Sequence, residues 1–107
     1  MIYCFDLDGT LCTNTNGKYE TAIPFNDRIA VLNKLYDEGN IIYIDSARGS
    51  KTKIDWYAFT YKQLIEWSVK FHKLRTGIKL EADIFIDDKG ISDKQYFDTK
   101  ENKNEII

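Results

Sequence analysis

Three short apolar runs, each ended by acidic or hydroxyl side chains, constrain this chain more than any other feature. They are Ile2–Phe5 before Asp6, Ile41–Ile44 before Asp45 and Ser46, and Ile84–Ile86 before Asp87 and Asp88. None has helical periodicity, so each predicts a fully buried strand. From Asn26, the apolar residues Ile29, Leu32, Leu35 and Tyr36 recur at helical spacing, and Gly39 stands where a left-handed residue ends a helix. Thr60 with Gln63 makes a capping box, and Phe59 with Leu64 a hydrophobic staple, which predicts a second helix from Thr60 to about Ser68. Val69–Leu74 suits either a continuation of that helix or a short strand, and the strand is favoured. Buried strands separated by helix-length segments need crossover connections, so the class is α/β with a parallel sheet.

Open parallel sheets hold ligands at the carboxyl ends of their strands. Asp6, Ser46, Asp87 and Asp88 all fall there, and Asp8 follows two residues after Asp6. Asp-Gly is also a plain turn signal, so the first pair alone does not separate chemistry from chain reversal. Gathered together, four carboxylates repel unless a cation neutralises them. Oxygen donors alone point to a hard cation, and Mg²⁺ is the one suited to phosphate chemistry.

The chain has 107 residues, 15 basic and 17 acidic, for a formal net charge of −2. One domain, 1–107, is expected, with a flap near 12–24 and a polar C-terminal tail near 92–107 in which Lys94, Lys100 and Lys103 alternate with Asp93, Asp98, Glu101 and Glu105. Mixed charge of this kind gives no field for capturing nucleic acid. Asp6 interrupts the first apolar run, so no secretory signal or membrane span is built there, and a cytoplasmic location is expected. Cys4 and Cys12 are expected as free thiols, since Cys4 lies within a strand and the cytoplasm is reducing.

Asp6-Leu7-Asp8-Gly9-Thr10 resembles the DxDGT signature of the haloacid dehalogenase superfamily. Ser46 is similar to the hydroxyl residue of that family's second motif, Lys79 to its lysine, and Asp87-Asp88 to its terminal acidic pair, in the same chain order over residues 1 to 89. The wording Ala47-Arg48-Gly49, Ile54-Asp55-Trp56 and Ile86-Asp87-Asp88-Lys89 further resembles the small phosphatase-like proteins of capsular polysaccharide biosynthesis. In those relatives the lysine usually stands between glycine and proline; this chain has Ile78-Lys79-Leu80.

The resemblance implies a Rossmann-like three-layer α/β/α fold without a cap domain, and a Mg²⁺-dependent phosphomonoester hydrolase. Asp6 would be the nucleophile that becomes an aspartyl phosphate, and Asp8 the proton donor and then the base. Mg²⁺ would be held by Asp6, Asp87, Asp88 and the backbone carbonyl of Asp8. Ser46, Ala47 and Lys79 would hold the phosphoryl oxygens. The substrate implied is a phosphorylated sugar or an oligosaccharide phosphate at an open site, with a second copy of the chain as one way of covering it. Lys89 is the rival for the role of Lys79.

Arg48 suits two roles equally: contact with a second anionic group of the substrate, or support of the acidic loop. His72 reads as structural. Trp56, Tyr57, Phe59 and Tyr61 read as packing rather than a sugar-stacking surface, and Lys18 and Tyr19 as flap residues within reach of the site. Two other functions compete: a catalytically idle binding or scaffold subunit, and a receiver-type phosphoacceptor, which would need its acidic pair first in the chain rather than last.

Overall fold

The computed structural model describes residues 1–98. Three strands, β1 (Ile2–Phe5), β2 (Ile41–Ser46) and β3 (Lys73–Thr76), form a parallel sheet in the order β1-β2-β3. A 3₁₀ turn (Tyr19–Thr21) and α1 (Asn26–Asp37) link β1 to β2, and α2 (Tyr57–Glu66) links β2 to β3. Residues 93–98 are helical again. Among the described residues no helix is long and apolar enough to cross a membrane.

Register explains the burial. Phe5 pairs with Ile44, and Ile44 with Leu74, so these side chains share one face of the sheet. That face meets Ile29, Leu32 and Leu35 of α1 and Leu64 of α2 in a single core cluster. Ile42 and Ile44 are 0% and 1% exposed; side chains of this kind contribute about 1.5–3 kcal/mol each when buried. The other face carries Cys4, Tyr43, Lys73 and Arg75, all exposed, with Arg75 donating to Asp45 at 2.9 and 2.6 Å. The strands are therefore half-buried and alternating, where continuous burial was expected. Ile2, at the start of the edge strand β1, is 63% exposed.

Helix ends show where side-chain pattern and backbone agree. At the end of α1, Gly39 has φ +94°, its N–H donates to Tyr36 O at 3.0 Å, and that of Asn40 donates to Leu35 O at 3.1 Å, a Schellman motif. The end of α2 repeats it with Ser68 at φ +59°: Ser68 N–H to Ile65 O and Val69 N–H to Leu64 O, both at 3.0 Å.

Four expectations are corrected. Helix α2 begins three residues before Thr60, at Tyr57, whose N–H is accepted by Asp55 Oδ1 at 2.9 Å; Thr60 is a buried mid-helix residue and caps nothing. The third strand is real but later, at Lys73–Thr76, since α2 stops at Glu66. Ile84–Ile86 form no strand, and the three residues are 76%, 59% and 96% exposed. The expected polar tail is helical over 93–98, with Phe97 buried against Phe5 and Arg28 donating to Asp93 at 2.7 Å; residues 99–107 of that tail lie outside the described residues.

Candidate active site

After β1 the chain turns back on itself. Leu11 and Thr10 N–H groups donate to Leu7 O at 2.8 and 3.1 Å, and Gly9 N–H to Cys12 O at 2.8 Å. Leu7 and Leu11 are thereby driven into the core with no exposed surface, and Asp6 and Asp8, on either side of Leu7, line a cavity of about 520 Å³. Gly9 has φ +86°, a left-handed backbone in which a side chain is strained, so the turn favours glycine. The flap contributes Asn14, Thr15 and Tyr19 to the wall, the end of β2 contributes Ala47 and Arg48, and the segment after β3 contributes Lys79, Glu81 and Phe85.

The two aspartates have different surroundings. Asp6 is 40% exposed; its Oδ1 accepts from Lys79 Nζ at 3.1 Å and its Oδ2 from Thr10 Oγ1 at 3.4 Å. Lys79 is steadied on two sides, since its carbonyl accepts from Ser50 Oγ at 2.5 Å and its ammonium lies 5.1 Å from the centre of the Phe85 ring. Asp8 is 19% exposed and takes a two-pronged contact from Arg48, Nε to Oδ2 at 2.9 Å and Nη2 to Oδ1 at 2.8 Å. Cys12 also donates to Asp8 Oδ1, at 3.5 Å. Burial first, and then the charge of Asp8, push the Cys12 thiol up to about 12. The same two causes, in the same order, raise the Tyr19 phenol.

Asp6, Asp8, Ala47, Arg48 and Lys79 are thus brought together, 73 residues apart at the extremes. Ser46 is adjacent but turned inward: it is 1% exposed and its Oγ accepts the Arg48 N–H at 3.2 Å. Asp87 and Asp88 stand outside the cavity lining, exposed, because the strand expected to deliver them is absent. Asp87 Oδ1 accepts the Lys89 N–H at 2.9 Å, the chief reason its carboxyl is held below its ordinary value, and Lys89 does not line the cavity. Asp6 and Asp8 offer oxygen donors of the kind Mg²⁺ takes. Among the described residues, however, no group of three or more His, Cys, Asp or Glu side chains is placed to hold a metal ion. Of the expected Mg²⁺ ligands, Asp6 and Asp8 line the cavity and Asp87 and Asp88 do not.

Three residues of the site escaped notice in the sequence. Thr60 and Gln63, read as a capping box, instead accept from Arg48 Nη1 at 3.2 and 2.7 Å. Their three-residue spacing was the available signal, because it places both on one helix face. Thr10, next to the acidic pair, carried no separate signal. Trp56 packs edge-on to Tyr19 and Phe59, with ring centres 4.9 and 5.4 Å apart, in keeping with a packing role. His72 accepts the Ile42 N–H on Nδ1 at 3.0 Å and stacks on Tyr36, also in a structural role. Both cysteines are free.

No protein-family model and no curated protein matches this sequence. The crystal structure of a structural-genomics target from Vibrio cholerae is similar in fold, with a TM-score of 0.79 over 89% of this chain and 85% of that one at 23% identity.

Proposed function

We propose that this chain is a phosphomonoester hydrolase of the haloacid dehalogenase type, working through an aspartyl phosphate on Asp6, in the cytoplasm. The observation that carries the proposal is the meeting of Asp6 and Lys79 at 3.1 Å in a cavity whose wall also holds Asp8. A half-exposed carboxylate with an ammonium beside it has what an in-line attack on an anionic phosphoryl group needs: a free oxygen and a neighbouring positive charge.

In the first step an Asp6 oxygen forms a bond to phosphorus as the bond to the ester oxygen breaks. The electron pair leaves with the alkoxide, which takes a proton from Asp8. In the second step Asp8 accepts a proton from water as the water oxygen attacks phosphorus, and the Asp6–phosphorus bond breaks to release phosphate. Arg48 and Cys12 occupy three acceptor positions of Asp8, and a carboxylate has about four, so one position remains for the proton. Lys79 screens the phosphoryl charge throughout.

Mg²⁺ belongs to the proposal as well: Asp6 and the Asp8 backbone carbonyl would hold it, and it would supply charge to neutralise the phosphoryl oxygens. The three-layer Rossmann-like architecture belongs to the proposal too, supported by the parallel sheet and the cavity at the strands' carboxyl ends; the described residues build two of those layers. The substrate proposed is a phosphorylated sugar or related metabolite of surface-polysaccharide synthesis, suited to an open cavity of about 520 Å³. A second reading, a catalytically idle binding or scaffold subunit, is favoured by one observation, the placement of Asp87 and Asp88 outside the lining of the cavity that holds Asp6.

Release of phosphate from p-nitrophenyl phosphate and a set of sugar phosphates separates the two. Turnover abolished by Asp6→Asn, and removed by EDTA and restored by Mg²⁺, is the expected result. Full activity in Asp6→Asn would overturn the nucleophile, metal-independent turnover would remove Mg²⁺ from the scheme, and phosphate binding with no turnover would favour the idle subunit.

A further inference from the structure

We infer that Arg48 is a positioning residue, acting on the reaction through Asp8 and the flap and making no contact with substrate. The inference rests on the hydrolase reading above. A guanidinium has five N–H donors. Nε and Nη2 of Arg48 grip the two oxygens of Asp8, Nη2 also faces Cys12 Sγ at 4.0 Å, and Nη1 donates to Thr60 Oγ1 and Gln63 Oε1. Its side chain has no exposed surface, and the Tyr19 ring lies over it at 4.4 Å. Nothing of the cation is left over for a phosphoryl oxygen or a second anionic group, the role that its position after the Ser46 strand leaves open in the sequence.

The contacts converge from three separate elements. Asp8 belongs to the loop after β1, Tyr19 to the flap, and Thr60 and Gln63 to α2. Gln63 closes the circuit by donating from Nε2 to Tyr19 O at 2.9 Å. The planar fork sets the direction of the Asp8 carboxylate, and the ring above it holds the flap against the same cation. A lysine keeps the charge but has no fork, so it leaves Asp8 free to rotate away from the leaving oxygen.

The test compares wild type, Arg48→Lys and Gln63→Leu in kcat and KM, with p-nitrophenyl phosphate and with a sugar bisphosphate as substrates. Gln63 lies outside the cavity, so its loss removes no substrate contact. The expected result for Arg48→Lys is a fall in kcat of about 10²-fold with both substrates and an unchanged KM, the effect of a misplaced catalytic group. Gln63→Leu is expected to show a smaller loss in the same sense, and it carries the test if Arg48→Lys does not fold. A rise in KM confined to the bisphosphate, with kcat kept, overturns the positioning role while the hydrolase reading stands. A wild type inert toward both esters overturns the hydrolase reading and this role with it.

Discussion

Asp6 and Asp8 are separated by one residue, yet their removal should have very different consequences for stability. Replacing Asp8 by alanine strands Arg48, a cation with no exposed side-chain surface, and leaves its Nε and one Nη2 contact unpaired. Breaking a buried ion pair from one side costs about 3–5 kcal/mol. Asp8 is 19% exposed, so water entering from the cavity relieves part of this and places the loss near the lower end, about 3 kcal/mol. For a domain with total stability of about 5–15 kcal/mol that is a large share. Asp6→Ala is the control: Asp6 is 40% exposed and its partner Lys79 24%, and pairs of that kind contribute about 0–1 kcal/mol. Urea unfolding followed by far-UV circular dichroism measures both. With a slope of about 1–3 kcal/mol per molar urea, the midpoint of Asp8→Ala should fall by roughly 1 M or more, and that of Asp6→Ala should hardly move. Two variants with equal midpoints, or a loss below about 1 kcal/mol for Asp8→Ala, would show that Arg48 is not the buried, clamped cation described.

Ser68 sits in the left-handed region at φ +59° at the end of α2, where glycine carries no steric penalty, so Ser68→Gly should stabilise the fold by about 0.5–1 kcal/mol in the same urea titration. A destabilised variant would mean that the turn is not the strained one described. The Cys12 thiol, pushed up to about 12, gives a pH prediction. A thiol whose pKa is raised by folding lends stability that is fully present below its unfolded value, about 8.5, and is lost as pH climbs from there toward 12. Its share of the loss is at most about 1.4 kcal/mol per pH unit. Cys12→Ala should therefore lose less stability than wild type between pH 8 and roughly 10.5, and parallel losses in the two proteins would refute the assignment.

Much of this architecture was legible in the chain. Ile41–Ile44 and the spacing of Ile29, Leu32 and Leu35 marked β2 and α1, because burial and periodicity are local properties. Gly39 marked the end of α1 because the left-handed backbone there excludes most other residues. The start of α2 was misjudged because Thr60 and Gln63 satisfy two patterns at the same spacing, a capping box and one face of a helix. Only the position of Arg48 chooses between them. Ile84–Ile86 were misjudged for another reason. Apolarity records an aversion to water but not whether the chain can reach a strand edge, and Lys79, held by Asp6 and Ser50, starts a segment that places Phe85 in the cavity wall.

By itself the sequence determined the class of fold, the elements on which Asp6 and Asp8 would stand, and the kinds of side chain at the rim. Those follow from propensities and periodicities acting over a few residues. Tertiary structure decided which charges meet: Lys79 on Asp6, Arg48 locked to Asp8, Ser46 turned inward, Asp87 and Asp88 left outside. Electrostatic partnership falls off over a few ångströms of space, and separation along the chain carries no information about it.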